Sequence, residues 1–160
     1  CIRDSKKAEF FLRKSLEINP KDILNLVNLG CVLKDLGDTK KAERILKNAI
    51  EINPNYDFAL INFGAVLNEL EEIDEAEKYL RKALKISPSS PMALNNLGNV
   101  LSKKKKNKDA ELCYRKAIEI KSDFSLAYNN LASLLSKQGN LIGAEKLTEK
   151  AINYLSLIHI

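Results

Sequence analysis

Three prolines, Pro20, Pro54 and Pro88, stand 34 residues apart, and one further step of 34 lands on Ser122. Alanines keep the same interval at Ala8, Ala42, Ala76, Ala110 and Ala144. Asparagines keep it at Asn28, Asn62, Asn96 and Asn130. A fixed period of this length specifies a stack of one small unit, each burying its apolar face against its neighbours, rather than one globular core. Stacks of this kind expose long surfaces, so the first functional expectation is recognition rather than chemistry.

Within each period the apolar residues fall at the i, i+3, i+4, i+7 spacing of a helix with one buried face. Leu26, Leu29, Gly30 and Leu33 mark a first helix; Ala42, Ile45, Leu46, Ala49 and Ile50 mark a second. Leu36-Gly37-Asp38 reads as the turn between them, with Gly37 suited to the left-handed position that ends a helix. Asn53-Pro54 ends the second helix, because proline disfavours helix at the residue before it and has no N–H to continue the ladder. The expected layout is a half repeat at 1–22, repeats at 23–56, 57–90, 91–124 and 125–154, and nine helices. Residues 155–160 leave the pattern and read as an irregular apolar tail, either a join to unrelated sequence or a surface that packs on a continuing array. The chain begins at Cys1 inside a repeat and reads as a fragment. Glycine or alanine at Gly30, Gly64, Gly98 and Ala132, facing the alanines at 42, 76, 110 and 144, is expected to let the paired helices approach closely.

These residues together resemble the tetratricopeptide repeat: a 34-residue helix–turn–helix with Leu-Gly, Ala, a large apolar residue, Ala and Pro in fixed order. Asn-Leu-Gly at 28–30 and 96–98, and Ala-Ile-Glu-Ile-Asn-Pro at 49–54, are strong forms of it. The resemblance implies an all-α, right-handed α-solenoid. Its first helices would line a concave groove that holds a peptide or a partner protein. Glu71, Lys105 and Ser122 depart from the pattern, replacing two turn glycines and a proline. They are expected to soften turns without changing the fold.

The four asparagines lie on successive first helices. An amide offers donors and an acceptor, so it can pair with a peptide backbone of any sequence. Neighbouring helices about 8–10 Å apart would meet an extended peptide at about every third residue. The spacing is similar to the asparagine ladder in the repeat arm of O-linked N-acetylglucosamine transferases. The competing and more economical reading is that each amide bonds a neighbouring helix. By register the groove floor is apolar at Leu24, Val27, Phe58, Ile61 and Met92 and polar at Asn95, Asn99, Asn129 and Ser133. That division suggests a ligand with one apolar and one polar half, unless a neighbouring helix covers the apolar positions. The resemblance also brings to mind a clamp for a C-terminal carboxylate. Asn99 and Asn130 match its asparagines, but Val27, Ile61 and Asn95 stand where it needs lysines.

Net charge is +5, and Lys103, Lys104, Lys105, Lys106 and Lys108 account for it: without those five, 21 basic residues balance 21 acidic ones. A local run without interleaved aromatics reads as a solvated turn, so no nucleic-acid partner is expected. Cys1, Cys31 and Cys113 form neither a metal-ligand pattern nor a disulfide framework, which fits a reducing compartment, most simply the cytoplasm. No apolar run is long enough to span a membrane. The one histidine, His159, lies in the tail, and no phosphate loop or nucleophile motif occurs, so neither catalysis nor a cofactor is expected. The expected function is a protein-interaction scaffold. The alternative is a non-catalytic, substrate-recruiting arm of a larger enzyme such as a glycosyltransferase. A purely structural array that associates through its ends is a third reading, and the sequence leaves the oligomeric state open.

Overall fold

The structure is a computed structural model that describes the backbone of residues 2–158 and the side chains of residues 4–152. The described residues form nine α-helices and no strand: α1 (Ile2–Ile18), α2 (Ile23–Asp35), α3 (Thr39–Ile52), α4 (Asp57–Glu69), α5 (Ile73–Ile86), α6 (Pro91–Lys103), α7 (Asn107–Ile120), α8 (Ser125–Lys137) and α9 (Leu141–Ile158). The architecture is an α-solenoid of stacked helix–turn–helix repeats. The chain divides into two compact units, Cys1–Ile86 and Ser87–Ile160. In the first, α2 pairs with α3 and α4 with α5, while α1 packs on α2, α3 on α4 and α2 on α4. In the second, α6 pairs with α7 and α8 with α9, α7 packs on α8 and α6 on α8.

Three of the four hairpins, α2–α3, α4–α5 and α6–α7, close on a contact that the sequence period encodes. A Cβ built on Gly30 would stand 2.5 Å from Leu46 Cγ, one on Gly64 would stand 2.6 Å from Leu80 Cγ, and one on Gly98 would stand 2.5 Å from Tyr114 Cε1. The large residue of the second helix thus fills the space that the missing side chain vacates. Leu46, Leu80, Ala42, Ala76 and Ala110 are fully buried there.

The turns share one geometry. Gly37 and Gly139 have φ of 82° and 84°, and Glu71 and Lys105 take the same left-handed conformation at 63° and 59°. The two non-glycine residues therefore keep the turn at a local steric cost, in keeping with the expectation that the fold is unchanged. Loss of the fourth proline has no visible effect either. α7 ends at Ile120, and the Lys121 N–H bonds Ala117 O as the Asn53 N–H bonds Ala49 O. The helix end is set by the turn's hydrogen bonds and by packing as well as by proline. At the other helix ends, Asp22 and Ser90 cap α2 and α6 by accepting from the N–H groups of Asn25 and Ala93.

α9 is helical through Ile158, past Tyr154, where the repeat pattern stops and an irregular tail is expected. No proline or glycine occurs between 154 and 158 to break it. His159, Ile160 and Cys1 lie outside the described residues.

Candidate functional site

In the first unit, α2 and α4 place the expected groove residues side by side. Leu24 is 55% exposed and Phe58 half-buried, with the Phe58 ring edge-on to Tyr56 at 6.4 Å between centroids. Val27 and Ile61 are not floor: both are buried. The register puts residues 24, 27 and 28 on one broad face, but neighbouring helices about 8–10 Å away cover its flank. The two asparagines differ. Asn62 is 9% exposed, and its Nδ2 donates to Phe58 O of its own helix at 2.8 Å. Asn28 is half-buried and makes no side-chain hydrogen bond among the described residues.

In the second unit, α6 and α8 carry the remaining candidates. Asn95 is buried, and its Oδ1 accepts from Asn130 Nδ2 at 2.9 Å. That pair links α6 to α8 across the repeat and withdraws both amides, in part, from the surface. Asn99 Oδ1 accepts from the Tyr114 hydroxyl at 2.8 Å, which leaves the Asn99 NH2 group to donate elsewhere. Asn96 is half-buried and Asn129 and Ser133 are exposed; neither Asn96 nor Asn129 makes a side-chain hydrogen bond among the described residues. Met92 is 43% exposed and Leu126 is 59% exposed. Leu126 is absent from the sequence-derived set, although it continues the 34-residue series Leu24, Phe58, Met92. It gives this unit an apolar element too, so the expected division into an apolar and a polar half does not hold cleanly.

The lysine run brackets the α6–α7 turn: Lys103 ends α6, Lys105 holds the left-handed position, and Lys105, Lys106 and Lys108 are exposed. Cys31 is half-buried on α2, and burial pushes its thiol up from the ordinary value despite the nearby Lys34. Among the described residues, no group of three His, Cys, Asp or Glu is placed to hold a metal ion, and no helix is long and apolar enough to cross a membrane.

Solved structures of the same fold are numerous. PilW, a widely conserved type IV pilus biogenesis factor, is similar with a TM-score of 0.85 and 23% identity over 96% of this chain and 71% of that one. MamA from Desulfovibrio magneticus RS-1 is similar with a TM-score of 0.75 and 19% identity over 98% of this chain and 89% of that one. YrrB, described as having an unusual peptide-binding site, is similar with a TM-score of 0.67 and 20% identity over 96% of this chain and 79% of that one. No curated protein matches the chain in sequence. A tetratricopeptide repeat model matches residues 56–123, and two others match residues 25–56 and 113–146. With these matches running together from residue 25 to residue 146 over the hairpins described above, the chain belongs to the tetratricopeptide repeat family.

Proposed function

We propose that the chain is a protein-interaction scaffold whose first helices hold an extended segment or a helix of a partner protein. One observation carries this reading. At the same register of each first helix stands an apolar side chain that is exposed or half-exposed: Leu24, Phe58, Met92 and Leu126. Complete burial of such a side chain from full exposure is worth about 1.5–3 kcal/mol, and covering the half that remains open here about half as much. A hydrogen bond from Asn28 or Asn96 adds only about 0.5–1.5 kcal/mol. Micromolar binding needs about 8 kcal/mol, so the apolar row is the larger contributor and the amides set register. YrrB's description as a peptide-binding repeat protein supports the same class of ligand.

The test is selection of binders from a random peptide library, followed by calorimetric titration of the winners. Leu24→Ser with Phe58→Ser, both in the first unit, should weaken binding at least about tenfold at unchanged helicity. Asn28→Ala with Asn96→Ala should weaken it less. Peptides that bind both double variants as tightly as the parent would reject the reading. The spacing of Asn28 from Asn62, and of Asn96 from Asn130, supports a second reading: a substrate-recruiting arm of a larger enzyme such as a glycosyltransferase. That reading requires the asparagine variants to lose more than the apolar ones.

A further inference from the structure

In the first unit, a furrow lies between the second helices α1 and α3, apart from the exposed residues of the first helices. Between α1 and α3, Leu16, Leu26, Leu29 and Ile45 floor a cavity of about 340 Å³ with Arg13 at its mouth. The furrow recurs between α7 and α9, where Arg115, Ile118, Tyr128, Leu131 and Leu147 line about 270 Å³. Each of those residues stands 102 positions, three periods, after its counterpart. Between α3 and α5 the positions of Leu29 and Ile45 are held by Phe63 and Tyr79, whose rings meet edge-on at 4.8 Å and take up that space. The furrow is thus a feature of the repeat, kept open at some steps and filled at another.

The α1–α3 furrow runs on into a second, cationic cavity. Arg13 and Ile45 are shared with it, and Lys41, Arg44 and Asn48 complete a lining of about 370 Å³. The cations are arranged unequally. Glu9 Oε1 holds Arg13 at 2.8 Å, and Asp38 holds Lys41 at 2.6 Å. Arg44 has no ion pair among the described residues. Three cations against two carboxylates leave one positive charge in excess. At the far end Glu17 is tied to Lys14 at 2.8 Å. In the α7–α9 furrow the positions of Lys41 and Arg44 are Gly143 and Lys146, so the same concentration of charge is not repeated. These two adjoining cavities fall near the lower end of ligand-site volumes, about 300–1,000 Å³.

We propose that the α1–α3 furrow is a second binding site, distinct from the first-helix face, for an acidic peptide segment of a partner. An apolar side chain of the segment enters over Leu16, Leu26, Leu29 and Ile45. An adjacent carboxylate is received by Arg44 and by the Arg13 guanidinium, which Glu9 orients. The Glu17 end, neutralised by Lys14, offers no free cation, so the acidic half of the segment lies towards Arg44. Charge complementarity favours this occupant, because an all-apolar segment would leave Arg44 unanswered, and a bare anion would leave the floor uncovered.

The experiment uses a fluorescein-labelled synthetic peptide in which one leucine is flanked on one side by aspartates, read by anisotropy and by amide shifts of the labelled protein. The peptide should perturb α1, α3 and the Leu26 and Leu29 amides of α2, and bind less tightly as salt rises. Arg44→Glu, at an exposed position, should weaken binding about tenfold or more. Ile45→Tyr, which imports the residue that occupies this position one repeat later, should abolish binding while circular dichroism is unchanged. The inference is overturned if the peptide does not bind, if its shifts fall on α4 and on Leu24 and Asn28 rather than on the furrow residues, or if neither variant alters affinity. It is equally overturned if Lys105→Glu, far in sequence, costs as much as Arg44→Glu, or if inorganic phosphate or anionic vesicles displace the peptide as well as unlabelled peptide does.

Discussion

The Tyr114 hydroxyl crosses the α6–α7 hairpin to donate to Asn99 Oδ1 at 2.8 Å, while its ring fills the space left open by Gly98. One side chain on the second helix thus both closes the hairpin and orients an amide on the first helix. The corresponding positions in the first unit, Leu46 and Leu80, only fill space.

Tyr114→Phe should therefore keep the packing and lose the bond. The expected cost is about 0.5–1.5 kcal/mol, read as a lower midpoint in urea at unchanged slope. Asn99→Ala should cost a similar amount. A double variant no worse than either single one would establish that the two residues act as a pair.

Burial also pushes the Tyr114 phenol well above its ordinary value, with the neighbouring Cys113 adding to the shift. In the unfolded chain the phenol ionises near about 10. The folded state favours the protonated form, so this stabilisation is complete below that value and is lost as pH rises towards the higher folded value. Melting temperatures at pH 9 and pH 11 should fall further for the parent than for Tyr114→Phe. An equal fall would show that other groups carry the alkaline loss.

Gly64→Ala places a methyl group 2.6 Å from Leu80 Cγ, at the centre of a closed hairpin. Overpacking of this kind costs about 1–3 kcal/mol, visible in thermal melts. Combining it with Leu80→Ala should cost less than the sum of the two single changes, because the smaller residue vacates the space that the new methyl enters.

Glu71 and Lys105 hold left-handed turn positions that glycine occupies at 37 and 139. Lys105→Gly relieves a local cost of about 1–2 kcal/mol, offset in part by glycine's greater freedom in the unfolded chain. A net gain of up to about 1 kcal/mol is expected in chemical denaturation. Loss of stability would mean that the lysine side chain contributes more to the turn than its backbone conformation costs.

The 34-residue period by itself determined the repeating hairpin, the close approach at Gly30, Gly64 and Gly98, and the turn positions. These features depend on which residues recur along one helix face, and recurrence is written in the sequence. Tertiary structure alone decided which of the recurring side chains remain available. Asn28 and Asn62 share a register, yet Asn62 is turned to its own backbone while Asn28 makes no side-chain hydrogen bond among the described residues. Asn130 is taken up by Asn95, one period plus one residue away. Val27 and Ile61 share the face of Leu24 and Phe58 but are covered by neighbouring helices. The α1–α3 furrow was illegible for the same reason: its floor draws on α1, α2 and α3, and whether it stays open depends on the volumes of residues from three separate helices. A period states what each helix repeats. Burial and hydrogen-bond partners depend on what stands opposite, and only the packed structure supplies that.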